Sequence, residues 1–119
     1  MKRLYFKPNI DVIKEGDLGD CAYIVEAGSL EVSKINNQNN KQVLGQLKEN
    51  DIFGEMGLID GFPRSATVVA LEDCTISIMT QAAFNSLAEH NPQALMPILK
   101  ILAKRLRNTL KMVEDLQKE

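Results

Sequence analysis

Turn signals recur at short intervals along the first two thirds of this chain, and they constrain the fold more than any other feature. Gly16-Asp17, Ala27-Gly28, Asn36 to Asn40, Glu49-Asn50-Asp51 and Gly61-Phe62-Pro63 punctuate the sequence from about Ile10 to Met79. The runs between them are too short to hold the crossover helices that parallel strands require. The predicted class is therefore mainly β with flanking α, an antiparallel β-roll of jelly-roll type rather than a set of β-α units. Leu30 to Ile35, Gln42 to Leu47, Thr67 to Leu71 and Cys74 to Met79 are the clearest strands. In the last of these, Cys74, Ile76 and Ile78 alternate as a core face would. Asn36-Asn37-Gln38-Asn39-Asn40 is only five residues long and reads as a solvated hairpin loop.

After Thr80, an expected N-cap, the apolar period changes from two to that of a helix, with Phe84, Leu87 and Ala88 on one face. Asn91-Pro92 restarts the chain, because proline suits a first helical position. A second helix is predicted from about Gln93 to Lys118, irregular near Pro97. Its apolar seam is Leu99, Leu102, Leu106, Thr109, Val113 and Leu116, in alternating steps of three and four. Lys100, Lys104, Arg107 and Lys111 form a second stripe, the solvated face of an amphipathic helix. The expected organisation is one domain over residues 1–119, with the roll at about 6–79 and helices at about 80–91 and 93–118. Nothing in the sequence resembles a DNA-binding, kinase or channel segment, so the chain is expected to be an excised domain or a stand-alone protein.

Composition narrows the function. A formal net charge of -2 gives the domain alone no electrostatic footprint for nucleic acid. No apolar run reaches the roughly 20 residues of a membrane helix, and no signal sequence is evident, so a cytoplasmic location is expected. Cys21 and Cys74 fit no metal or redox spacing and are expected to be buried, reduced thiols. His90 is the only histidine. That denies a metal cluster or a nucleophile–base pair of the kind a β-roll enzyme needs, and His90 itself is expected to lie exposed near a helix end. No catalytic residue, metal or cofactor is predicted.

The chemistry concentrates in Phe53-Gly54-Glu55-Met56-Gly57-Leu58-Ile59-Asp60-Gly61-Phe62-Pro63-Arg64-Ser65-Ala66-Thr67. One carboxylate and one guanidinium stand nine positions apart around a turn rich in glycine. Arg64 can offer a planar fork of N–H donors to two phosphate oxygens. Glu55 is an acceptor suited to a sugar hydroxyl, and a nest or short helix start at Gly54–Leu58 could add backbone donors. Such a site fits a ligand with a phosphate beside a free hydroxyl. The plainer alternative is a loop ion pair between Glu55 and Arg64.

The order of these residues closely resembles the phosphate-binding cassette of the cyclic-nucleotide-binding domain family: Phe-Gly-Glu, a small residue, Leu, a short turn, then Arg-small-Ala-Thr. Upstream, Phe6-Lys7-Pro8-Asn9, Ile13-Lys14-Glu15-Gly16-Asp17 and Ala22 to Val32 resemble the family's opening strands, so the likeness spans nearly the whole chain. Asn9 and Asn50 stand where the family usually has glycine. Asparagine is the residue best able to replace glycine in a left-handed turn, so the backbone path should be kept.

The resemblance implies a non-catalytic regulatory domain that binds cAMP, or less readily cGMP. In it Arg64 would hold the exocyclic phosphate and Glu55 the ribose 2′-hydroxyl, with the amides of Gly54 and Ala66 and the side chain of Ser65 completing the contacts. Arg105-Leu106-Arg107-Asn108-Thr109 resembles the dimer helix of catabolite activator proteins, which makes Thr109, with Arg105 near it, the candidate base reader. The implied output is movement of the C-terminal helix, and residues 93–118 could also serve a homodimer. A ligand-independent dimerisation or interaction module with the same fold is the alternative.

Overall fold

The computed structural model describes residues 2–117. In chain order the elements are β1 (Lys2–Phe6), β2 (Asp11–Ile13), β3 (Ala22–Ala27), β4 (Leu30–Ile35), β5 (Lys41–Leu47), β6 (Ile52–Phe53), α1 (Glu55–Asp60), β7 (Thr67–Ala70), β8 (Cys74–Met79), α2 (Gln81–His90), a 3₁₀ turn (Pro92–Leu95) and α3 (Met96–Gln117). They fall into two compact units, the first ending at Gln81 and the second beginning at Ala82.

The first unit is the β-roll. Its strands form two four-stranded sheets in the orders β1-β8-β3-β6 and β2-β7-β4-β5, and every pairing is antiparallel. The inner faces of both sheets supply one core: Val25, Phe53, Cys74 and Ile76 from the first, Leu30, Leu47, Val68 and Ala70 from the second. Each fully buried aliphatic side chain there contributes about 1.5–3 kcal/mol through removal of apolar surface from water. β4 and β8 begin and end where the sequence places them, and β5 and β7 differ from expectation by one residue at one end. The alternation expected in β8 holds through Ile76 and then breaks, since Ser77 and Met79 are buried and Ile78 is not.

Positive-φ turns carry the path between sheets. Asn9 and Asn50 adopt φ values of 69° and 76°, the left-handed conformation that their side chains tolerate better than most. Each is fixed from outside, Asn9 N donating to Ala70 O and Asn50 N to Val25 O, both at 2.8 Å. The Asn36 to Asn40 segment closes the β4–β5 hairpin, and the Asn36 side-chain oxygen accepts from the amides of Gln38 and Asn40. The roll begins earlier than expected, at Lys2, because β1 pairs along its whole length with β8.

Within the second unit, α2 ends at His90, whose imidazole is exposed as expected. The long helix does not start at Gln93. Pro92 to Leu95 form a tighter 3₁₀ turn, and α3 begins at Met96. Pro97 lies in the first turn of α3, where its missing N–H leaves no hydrogen bond unmade, and the irregularity expected near it is the change from 3₁₀ to α just before it. The expected end of the helix, Lys118, lies outside the described residues. Leu99, Leu106, Val113 and Leu116 of the seam are exposed, as is Leu110.

Candidate functional site

β6 delivers the chain into the cassette. Phe53 stacks on Tyr23 of β3 with ring centroids 5.1 Å apart, which fixes the point of departure. Gly54, at φ 76°, turns the backbone into α1, and Gly61, at φ 70°, ends that helix after six residues. Leu58 is fully buried and anchors α1 against the roll, whereas Met56, Ile59 and Phe62 are exposed. The helix start expected at Gly54–Leu58 is present.

Arg64 is the centre of the site. Its main chain is clamped to the loop before β3, with Arg64 N donating to Asp17 O and Gly16 N donating to Arg64 O, each at 2.8 Å. Its guanidinium then turns inward. Nη1 donates to Gly54 O and Nη2 to Cys21 O, both at 2.9 Å, and Cζ lies 5.7 Å from the centroid of the Tyr23 ring. A cation is attracted to such a ring face. Only 7% of Arg64 and 2% of Glu55 are exposed. Two ionisable groups buried within one short surface segment are costly as structure alone.

Glycine makes this burial sterically possible. A Cβ at Gly19 would lie 2.6 Å from Arg64 Nε and Nη2, and one at Gly57 would lie 2.8 Å from Nη1. The backbone walls close directly on the guanidinium. The sequence alone gives no role to Gly19, Gly57 or Tyr23, and it leads to the expectation that Cys21 is a buried, reduced thiol. Cys21 is half-buried. Its thiol lies 3.7 Å from Arg64 Nη2 and donates to the Tyr23 hydroxyl at 3.3 Å. Burial, reinforced by Cys21, pushes the Tyr23 phenol up to about 12. Two glycines within Gly16-Asp17-Leu18-Gly19 were the available signal, since a turn needs only one.

Ser65 is exposed and Ala66 half-buried, in the bend between Arg64 and the start of β7. The structure thus brings Gly54, Glu55, Arg64, Ser65 and Ala66 into one cassette of the first unit. Arg105 and Thr109 belong to the second unit, one turn apart on α3, where the Thr109 hydroxyl donates to Arg105 O at 2.9 Å. Among the described residues no cluster of metal-ligating side chains occurs, and no helix is long and apolar enough to cross a membrane.

An antiparallel roll that carries a glycine-walled arginine and a buried glutamate on a helix-turn cassette defines a class of ligand-binding module. The profile of the family described as "Cyclic nucleotide-binding domain" matches residues 3–91, and the chain belongs to that family. It is 36% identical over 108 residues to a cAMP-dependent protein kinase regulatory subunit of Mucor circinelloides f. lusitanicus, covering 91% of this chain and 23% of that protein. It is 33% identical over 106 residues to the cAMP-activated global transcriptional regulator CRP of Pasteurella multocida, covering 88% of this chain and 51% of that one. The chain therefore spans about a quarter to a half of these relatives. Among solved structures, the Thermus thermophilus catabolite activator protein superposes with a TM-score of 0.92 at 27% identity, over 98% of this chain and 55% of that one.

Proposed function

We propose that this domain binds a 3′,5′-cyclic nucleotide, cAMP in preference to cGMP, and acts as a non-catalytic regulatory receptor. The observation that carries the reading is the buried pair of Arg64 and Glu55 at the two ends of one cassette. The carbonyl bonds of Arg64 use one N–H on each of Nη1 and Nη2. The fork has five donors in all, so a phosphate can be gripped while the arginine stays seated. Glu55 takes the ribose 2′-hydroxyl, and the amides of Gly54 and Ala66 with the Ser65 hydroxyl complete the anion site. Arg105 and Thr109 are the base-reading candidates. The names of the relatives, a cAMP-dependent kinase subunit and a cAMP-activated regulator, favour cAMP.

The output we propose is repositioning or ordering of α3 on ligand binding, with a homodimer formed through residues 93–118. The exposed leucines of α3 support that role. They equally suit the second reading, a dimerisation module that has no ligand. Two free thiols fit the reducing cytoplasm where such a receptor would work. Titration calorimetry with cAMP and with cGMP is the test. Saturable binding of cAMP at lower concentration than cGMP is expected, and no heat and no thermal stabilisation by either at millimolar concentration would overturn the proposal.

A further inference from the structure

The β4–β7 ladder stops at Ser33↔Thr67. Continued in the same register, the amide of Ile35 would donate to the carbonyl oxygen of Ser65. It does not. Ile35 N donates instead to Glu15 Oε1 at 3.0 Å, and Ser65 O accepts from Lys34 Nζ at 3.2 Å. The two side chains that intervene pair with each other, Lys34 Nζ lying 3.7 Å from Glu15 Oε2. Glu15 is itself tied to β7, its amide donating to Thr67 Oγ1 at 2.9 Å. An ion pair therefore stands in for the missing rung at the point where the cassette leaves the sheet.

The position of that rung matters because peptides are planar. The Ser65–Ala66 peptide is trans, so its C=O and the following N–H point in opposite directions. Pinning Ser65 O toward Lys34 aims the Ala66 N–H away from the sheet edge. A cation on the carbonyl also polarises the peptide and makes that N–H a better donor. We propose that Lys34, oriented by Glu15, is a positioning residue for the anion site: it sets the direction and strength of the Ala66 amide donor without touching the ligand. The proposal deepens the cyclic-nucleotide reading and rests on the phosphate contact assigned there to Ala66.

The test compares wild type with Lys34→Met, Lys34→Arg, Glu15→Gln and the Lys34→Met/Glu15→Gln double variant, reading cAMP affinity by calorimetry and the Ala66 amide by NMR in ligand-free protein. Lys34→Met should weaken cAMP about five- to tenfold, the scale of one hydrogen bond, with the melting temperature unchanged and the Ala66 amide resonance shifted. Lys34→Arg should restore both readouts. Glu15→Gln keeps an acceptor for Ile35 N but loses the charge, so it should weaken binding less, and the double variant should be no worse than Lys34→Met alone because the residues act as a unit. The ratio should persist at high salt, which distinguishes positioning from screened attraction at a distance. Wild-type affinity in Lys34→Met, failure of Lys34→Arg to rescue, a ratio that vanishes in salt, or a loss that follows the melting temperature would each overturn the proposal. If wild type itself binds neither nucleotide, the functional reading fails, and the ligand-free Ala66 resonance still decides the placement of Lys34.

Discussion

Arg64 and Cys21, forty-three residues apart, meet through a 2.9 Å hydrogen bond from Nη2 to the Cys21 carbonyl oxygen. The bond ties the last charged residue of the cassette to the residue just before β3, so the guanidinium proposed to hold the phosphate is seated by the roll itself. A seated fork loses little conformational freedom when it binds, which favours affinity.

Replacing Arg64 by Ala should therefore damage binding far more than replacing Glu55 by Ala. One change removes the charge partner of a phosphate, costing roughly 2–5 kcal/mol, and the other removes one hydroxyl contact worth about 1–3 kcal/mol. Calorimetric titration of both variants with cAMP checks the order. An Arg64→Ala protein that fails to fold would show that the arginine is structural.

Cys21 reports on the same place. A nucleotide held by Arg64 shields the half-buried thiol 3.7 Å from Nη2, so alkylation of Cys21 should slow severalfold at saturating cAMP. Cys74 should stay unreactive throughout, because burial raises its thiol above the ordinary range and keeps it protonated. Mass spectrometry of iodoacetamide-treated protein separates the two sites. Equal labelling of Cys21 with and without nucleotide argues against binding at the cassette.

The phenol of Tyr23 supplies a pH signature. Burial raises it to about 12, so the folded protein holds its proton where the unfolded chain, at the ordinary phenol value of 10.0, releases it. Stability from this group is complete below the unfolded value and is lost as pH climbs between the two. The chain has two tyrosines and no tryptophan, so a Tyr5→Phe variant isolates Tyr23 in tyrosinate absorbance. Its titration should centre near 12 while the protein is folded and move to the ordinary phenol value in denaturant. A midpoint unchanged by unfolding contradicts the half-buried placement of Tyr23.

At the left-handed turns the expected changes concern stability alone. Asn50→Gly should leave the protein as stable or slightly more so, whereas Asn50→Ala should cost about 1–2 kcal/mol, since alanine lacks the local hydrogen bonding that eases a positive φ. Urea denaturation of both variants decides it. Equal stability of Asn50→Ala and wild type would mean that the turn relaxes away from 76°.

What was legible in the sequence was local. Turn chemistry at Asn9 and Asn50 depends on one residue's own backbone, and the cassette signals itself in fifteen consecutive positions. The arginine's seat was not legible, because Gly19, Cys21 and Tyr23 reach Arg64 only once β3 and β6 have paired. The start of α3 was missed for a related reason. Pro92 is compatible with either a 3₁₀ or an α-helical first turn, and the difference lies in which carbonyl each amide reaches rather than in the periodicity of the side chains. Lys34 reads as an ordinary strand lysine until the β4–β7 register shows which carbonyl it replaces a partner for.

Helix α1 lies between Gly54 and Gly61, both with positive φ. Glycine leaves the left-handed region at little steric cost, so the two glycines mark the ends of the helix without locking its length. The two ends nevertheless differ: a Cβ at Gly54 would lie 2.9 Å from Arg64 Nη1, whereas one at Gly61 would meet nothing within 4 Å. The entry to the helix is therefore prescribed by the arginine's seat, and its exit by backbone conformation alone.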